Sequence, residues 1–134
     1  MNSNIVYVFF LLFLTVETVR SVLHMLLPDG GAGSIAGLDT SNPNLISIFG
    51  QWGTTQLVLA ILYWTLFIYD NSYMTLIFGF IALEYFLRIV EGWIKPLQTS
   101  RAPPGAVLSY VVLPLSIIFT IWSYRIHGKI LSCK

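Results

Sequence analysis

Two apolar stretches of this sequence contain ionisable side chains at helical spacing. They are Glu17, Arg20 and His24 in the first stretch and Glu84, Arg88 and Glu91 in the second. At about 100° per residue, each set falls within an arc of roughly 60° on one side of a helix. Carboxylates and imidazole exchange protons, and with guanidinium groups beside them they bind polar ligands. Each helix is therefore predicted to carry one polar stripe that could do chemistry.

The charges of the two stripes are predicted to pair inside the protein, because an acidic or basic side chain that faces lipid near a helix centre costs about 2.5–3.5 kcal/mol. The spacing allows Glu17 to pair with Arg20. Glu84 can pair with Arg88 in the same way, and crosswise pairs between the helices are the alternative. Three carboxylates against two arginines leave a net charge of −1. We therefore expect one carboxylate, with Glu17 the deepest, or His24 to take up a proton.

Polar residues at the ends of two further apolar stretches extend this prediction to a pocket. One stretch begins near Gln51, Trp52 and Gln56, and the other begins near Ser109 and Tyr110. All of them are expected at the membrane level of the two arginines. We predict a polar pocket between the helices that opens towards one membrane face and takes a ligand or a proton. Its predicted lining is Glu17, Arg20, His24, Gln51, Gln56, Glu84, Arg88 and Glu91.

Four apolar stretches must position these residues. Of the 134 residues, 56% are hydrophobic and 10% are charged, whereas a soluble domain has about 25% charged residues. The stretches cover residues 5–27, 52–69, 73–94 and 107–124, and about 20 residues cross a hydrocarbon core of roughly 30 Å. Residues 28–47 are polar and rich in glycine and are expected to form an external loop. We predict an all-α fold in which residues 1–134 form a single domain, a four-helix transmembrane bundle.

A short internal repeat relates the first and third helices. In both, a glutamate and an arginine are followed by a proline eight residues after the arginine, at Pro28 and Pro96. The first and third helices of a four-helix membrane protein run in the same direction. The repeat therefore predicts two parallel-repeat helical hairpins, related by an axis along the membrane normal.

Charge and motif content exclude several classes of function. The net charge is +1 and no basic stripe is present, so nucleic acid is not expected as a partner. No set of His, Cys and carboxylate residues has the spacing of metal ligands, and the nucleotide-binding and hydrolase motifs that we sought are absent. We expect neither a metal nor a cofactor, and an enzyme is the less favoured class. Cys133 is the single cysteine, so no disulfide can form within the chain.

The positive residues outside the helices favour one orientation. An even number of spans places both termini on one side, which carries Arg125, Lys129 and Lys134. The other side carries Lys95 and Arg101. The positive-inside rule therefore predicts that the N- and C-termini are cytoplasmic.

Three segments of the sequence carry a resemblance to known membrane proteins. They are PDGGAGSIAGLD at 28–39, IFGQWG at 48–53, and the set Glu84, Arg88, Lys95 and Pro96. Together with the number of helices, they resemble a group of small bacterial four-helix membrane proteins, with a topology similar to the DoxX-like class. The resemblance implies a multi-pass protein of the bacterial inner membrane. DoxX-like proteins are linked to quinone or thiol redox systems, but this chain lacks a cysteine pair. The FGQW segment at 49–52 also resembles scaffold proteins of sterol synthesis, in topology alone.

Three classes of function stay open on the sequence. The first is a membrane protein that binds a small or lipid-like molecule in the polar pocket. The second is a structural or scaffold subunit, whose stripes assemble a homo-oligomer or join a partner membrane protein. The third is a small proton-coupled transporter, because Glu17 is predicted to lie deep in the membrane. All three share the lipid bilayer as surroundings.

Overall fold

The computed structural model describes residues 3–96, 98–99 and 103–127. In this part of the chain, four α-helices follow one another: α1 (Ser3–Leu26), α2 (Pro43–Tyr69), α3 (Met74–Ile94) and α4 (Pro104–His127). One turn of 3₁₀ helix, Asn71–Tyr73, joins α2 to α3. Each of the four helices is long and apolar enough to cross a membrane. The predicted all-α four-helix bundle is confirmed, and the chain is a multi-pass membrane protein.

The second and fourth helices begin earlier than the sequence analysis predicted. Helix α2 begins at Pro43 and not at residue 52, and α4 begins at Pro104 and not at residue 107. Both prolines stand in the first turn, where a missing N–H costs nothing and the fixed φ suits a helix. The side chain of Asn42 caps α2 by accepting a hydrogen bond from the N–H of Asn44 at 3.0 Å. The external loop is correspondingly shorter than predicted and ends at residue 42.

The helices pack as two hairpins, α1 against α2 and α3 against α4. Close approach in each hairpin depends on small residues. Gly53 of α2 lies directly against the backbone of α1 at His24. Helix α4 buries three serines at seven-residue intervals, Ser109, Ser116 and Ser123, and Ser123 shares a hydrogen bond of 2.8 Å with Thr75 of α3. The two hairpins fit the proposed repeat, although the repeat itself stays a prediction.

Aromatic rings join the two hairpins in the half of the bundle nearest the 3₁₀ turn. Phe10 of α1 meets Phe78 of α3 edge to face, with ring centroids 5.3 Å apart. Phe9 stacks on Phe119 of α4 at 4.0 Å. Phe10 and Phe78 are fully buried. This half is an apolar core, so the ionisable side chains lie in the other half, towards the external loop.

The external loop is folded around Asp29. Its carboxylate accepts hydrogen bonds from the backbone N–H groups of Ser34 and Gly31, at 2.7 and 2.9 Å, and from the Ser34 hydroxyl at 3.1 Å. These bonds, that of the Ser34 N–H above all, lower the pKa of Asp29 from 3.8 to about 2. Gly30 and Gly31 have φ of 59° and 76°, a backbone conformation that favours glycine. The loop is therefore an ordered structure of its own.

We expect the folded loop to persist in mild acid and to loosen only below about pH 4. A carboxylate with a depressed pKa stabilises the fold above its unfolded pKa, and this contribution is lost as the pH falls towards the folded value of about 2. Hydrogen exchange at the Ser34 amide, corrected for the intrinsic rate, checks this between pH 5 and pH 2. Asp29→Asn should lower protection already at pH 5, whereas Asp39→Asn should leave it unchanged. Equal protection in wild type and Asp29→Asn would contradict the assigned anchor.

Candidate functional site

Glu17 of α1 is held by partners from two helices. Its Oε2 accepts a hydrogen bond from Nη2 of Arg20, one helical turn away, at 2.5 Å. Its Oε1 accepts one from the hydroxyl of Tyr85 on α3, also at 2.5 Å. Tyr85 is buried, and it was missed by sequence reasoning, which considered only ionisable groups in the stripes. The bond from Tyr85 links the stripe of α1 to α3, and both oxygens of Glu17 act as acceptors.

Glu84 and Arg88 form the corresponding pair on α3. Nε of Arg88 donates to Oε1 of Glu84 at 3.0 Å, and Nη2 of Arg88 donates to the same oxygen. Oε2 of Glu84 accepts no hydrogen bond from the described residues. Both side chains keep 22% of their surface exposed. Each stripe therefore pairs within its own helix, and the pair on α3 retains a free acceptor.

Trp52 of α2 brings the two pairs together. The guanidinium carbon of Arg20 lies 5.4 Å from the centroid of the Trp52 ring, and that of Arg88 lies 5.1 Å from it. Arg88 is also 5.2 Å from the ring of Tyr85. An aromatic face attracts a cation by its quadrupole, and the attraction grows in a site with little water. Trp52, which the sequence analysis placed at a helix end, is thus a central member of the site.

Arg20 is less completely satisfied than Arg88. Its Nη2 reaches Oε1 of Gln56 at 3.4 Å, at the limit for a hydrogen bond. Its Nε is buried and has no hydrogen-bond partner among the described residues. A buried polar group without a partner costs about 1–3 kcal/mol. Among the described residues, Arg20 is therefore less fully hydrogen-bonded than Arg88.

His24 is tied to the external loop and not to the carboxylates. Its Nδ1 donates to the carbonyl oxygen of Gly30 at 2.7 Å, so Nδ1 carries the hydrogen. The imidazole is buried and packs against Trp52 with centroids 4.9 Å apart. An added Cβ on Gly31 would lie only 2.8 Å from the same Nδ1. His24 therefore fixes the loop above the site and supports one side of the Trp52 ring.

Two predicted pocket residues are exposed and lie outside the two charge pairs, although one of them, Glu91, lines the groove described below. Gln51 is exposed, because it lies about 140° around the helix from Gln56. Glu91 is also exposed and lies nearer the membrane surface than Glu84. The inner set then holds two glutamates and two arginines and is neutral without an added proton. The charge count of −1 includes the exposed Glu91, and proton uptake by one of these groups stays a prediction.

Two spaces adjoin the paired charges. A groove of about 320 Å³ runs between α2 and α3 and is lined by Trp52, Gln56, Glu84, Leu87, Arg88 and Glu91. A cavity of about 10 Å³ lies deeper, between α1, α2 and α3. Gln56 and Glu84 line both spaces. The cavity therefore lies at the inner end of the groove.

Depth in the membrane follows from the helix bounds. Glu84 is ten residues from each end of α3, Met74–Ile94, which is about 15 Å from either end at 1.5 Å per residue. The groove thus extends from the middle of the membrane, at Glu84, towards the external loop. In the described parts of the chain, no group of three His, Cys, Asp or Glu side chains is placed to hold a metal ion. Comparison with protein-family models, curated proteins and solved structures finds no match to this chain.

Proposed function

We propose that this protein binds a lipid-like molecule in the groove between α2 and α3, with the polar headgroup of the ligand against Glu84 and Arg88. The observation that carries the proposal is that this ion pair lies on the wall of an open groove and keeps a free acceptor, Oε2 of Glu84. The pair is therefore accessible to a ligand from the groove, which a pair packed on all sides would not be.

The lining of the groove indicates the headgroup chemistry. Glu84 and Glu91 carry two negative charges against the one positive charge of Arg88, so the groove has a net charge of −1. The Arg88 guanidinium lies near the rings of Trp52 and Tyr85, and two of its N–H donors are used by Glu84. Negative charge is thus in excess, and Oε2 of Glu84 is free to accept a hydrogen bond. The matching headgroup has hydrogen-bond donors, as a hydroxyl or an ammonium group does.

The rest of the groove suits an apolar tail. Leu87 lines it and is about half exposed, and the helices on both sides present apolar surfaces to lipid. A volume of about 320 Å³ is at the small end of the range of roughly 300–1,000 Å³ that is usual for ligand sites. It accommodates a headgroup and the first part of a chain, while the remaining chain lies among bilayer lipids.

The predicted result is that amphiphiles with donor headgroups stabilise the purified protein. Dodecylamine and a monoacylglycerol should raise the melting temperature in a non-ionic detergent, because a ligand that binds the folded state alone stabilises it by mass action. A fatty-acid anion of the same length, which has no donor and is repelled by the net negative charge, should have no effect. Thermal unfolding followed by tryptophan fluorescence gives the measurement.

A steric block provides the matched control. Leu87→Trp fills the groove, keeps both residues of the ion pair, and should abolish the stabilisation by both donor amphiphiles. Leu83→Trp, one turn away and equally exposed, should leave it intact. Equal stabilisation of wild type and Leu87→Trp would show that the amphiphiles act elsewhere and would remove the support for the groove. No stabilisation of wild type by either donor would favour a scaffold role for the ion pairs.

We further propose the bacterial inner membrane as the location, with both termini in the cytoplasm. Arg125, at the terminal side of α4, supports this orientation by the positive-inside rule. Arg101, Lys129, Lys134 and Cys133 lie outside the described residues. In this orientation the groove opens towards the outer, periplasmic face.

A further inference from the structure

The cavity at the inner end of the groove is lined by polar groups that complement one another. Four of its eight lining side chains are polar: Glu17, Gln56, Tyr63 and Glu84. The other four are apolar: Phe13, Leu59, Ala60 and Ile81. We propose that this cavity is a binding site for one water molecule, which bridges the carboxylates of Glu17 and Glu84 to the hydroxyl of Tyr63 and so joins the two hairpins.

Tyr63 supplies the observation that points to a bound molecule. Its residue surface is only 6% exposed, and its hydroxyl has no hydrogen-bond partner among the described residues. Its side chain lines the same cavity as those of Glu84 and Glu17. The hydroxyl is nevertheless not shut off, since Nε of Arg20 is the one fully buried side-chain atom without a partner among the described residues, so the hydroxyl can still take a hydrogen-bond partner. In this structure the cavity is where that partner fits, because the Tyr63 side chain forms part of its wall.

The size and the hydrogen-bonding pattern select water. The cavity has about 10 Å³, close to the space that one water molecule needs, and a buried water requires two to four polar partners. A water molecule donates two hydrogen bonds and accepts two. It can donate to the carboxylates of Glu17 and Glu84, which only accept, and accept from the Tyr63 hydroxyl. The side-chain amide of Gln56 is a second donor on the same wall.

The charged groups around the cavity favour this bridge over direct contact. Arg20 and the Tyr85 hydroxyl approach Glu17 from one side, and Arg88 approaches Glu84 from the other. The carboxylates repel each other across the cavity, so a donor between them is stabilising. Because Gln56 and Glu84 also line the groove, water can enter from the external side. The water site shares Gln56 and Glu84 with the groove, but water can bind there whether or not an amphiphile occupies the groove.

The substitution Tyr63→Phe tests the proposal by the sign of its effect. With a bridging water, the loss of the hydroxyl leaves that water short of one donor, and the melting temperature of the full chain in detergent should fall by roughly 3–6 °C. In a dry cavity the same change would remove an unsatisfied hydroxyl, and the melting temperature would stay the same or rise. Tyr124→Phe, at an exposed position, should have no effect. An unchanged or raised value for Tyr63→Phe overturns the proposal.

Radiolytic hydroxyl-radical labelling detects the water directly, because radicals form where bound water lies. Tyr63 should be modified in nanodiscs although it is buried. Met74 is fully buried in the aromatic core and should stay unmodified, although methionine is the more reactive residue. Labelling of Met74 without Tyr63 overturns the proposal. Labelling of Tyr63 in wild type that falls to background in Ala60→Val, where added methyl groups occupy the cavity, supports it.

Discussion

Replacement of Arg88 by glutamine is expected to destabilise the bundle by about 2.5–3.5 kcal/mol, the cost of a charge left without its partner near the middle of the membrane. The change leaves the carboxylate of Glu84 near the middle of the membrane without its cation. It also removes a guanidinium that packs against Trp52 and Tyr85. The free energy of unfolding in mixed detergent micelles, measured by the loss of helical circular dichroism, gives the effect.

The double variant Glu84→Gln/Arg88→Gln separates charge from packing. Two neutral amides can hydrogen-bond to each other, so the double variant should recover most of the stability that Arg88→Gln loses. A coupling energy of at least 1 kcal/mol in the double-mutant cycle is expected for residues in direct contact. Arg125→Gln, at an exposed position on α4, should change stability by less than about 0.5 kcal/mol. Equal losses for Arg125→Gln and Arg88→Gln would show that Glu84 needs no partner.

The second large effect is expected at Gly53, where α2 touches α1. A Cβ added at this position would lie 2.7 Å from the Cβ of His24 and 2.7 Å from the backbone nitrogen of Met25. Backbone atoms cannot turn away as the end of a flexible side chain can, so Gly53→Ala must push the helices apart. The expected loss is about 1–3 kcal/mol or more. Separation of the helices would also draw Trp52 away from Arg20, so stabilisation by amphiphiles should weaken too.

Gly50→Ala is the matched control, on the same helix and one turn earlier. An added Cβ on Gly50 meets no atom within 4 Å. Alanine is the better helix former by about 1 kcal/mol, so this substitution should be neutral or slightly stabilising. Opposite signs for the two glycines would establish close backbone contact at Gly53. A neutral Gly53→Ala would mean that α1 and α2 are further apart than the structure places them.

Much of the site was predictable because its charges are costly in lipid. A glutamate and an arginine one turn apart on an apolar helix are expected to pair, because an unpaired charge in lipid is costly. Both predicted pairs, Glu17 with Arg20 and Glu84 with Arg88, are present. The helix count follows from the same energetics, since about 20 apolar residues must cross the membrane. The ends marked by Pro28 and by the Asp70 turn were also predictable, because breaker residues interrupt the helix locally.

Other features depend on contacts between residues far apart in the sequence. The roles of Tyr85 and Tyr63 were not predicted. Helical spacing shows which residues share one side of a helix, but it does not show which neighbouring helix a tyrosine ring will face. The start of α2 at Pro43 was missed although Asn42 and Pro43 are a typical N-terminal pair, since the polar composition of this segment was given more weight than its capping residues. Glu91 was predicted on the pocket wall and lines the groove, but helical periodicity could not show that its side chain would stay exposed.

Hydropathy and charge spacing are therefore sufficient to predict a multi-pass membrane protein with two polar stripes and an ion pair in each. These features arise from the free-energy cost of placing charged side chains or unpaired backbone groups in lipid. Each segment avoids this cost through its own helical hydrogen bonds and its own ion pair. The convergence of both arginines on Trp52 and the groove between α2 and α3 arise only when the hairpins pack. Trp52 and Arg88 are 36 residues apart in the sequence, and their contact depends on how closely α2 approaches α1 at Gly53 and how the aromatic core holds α3 against them.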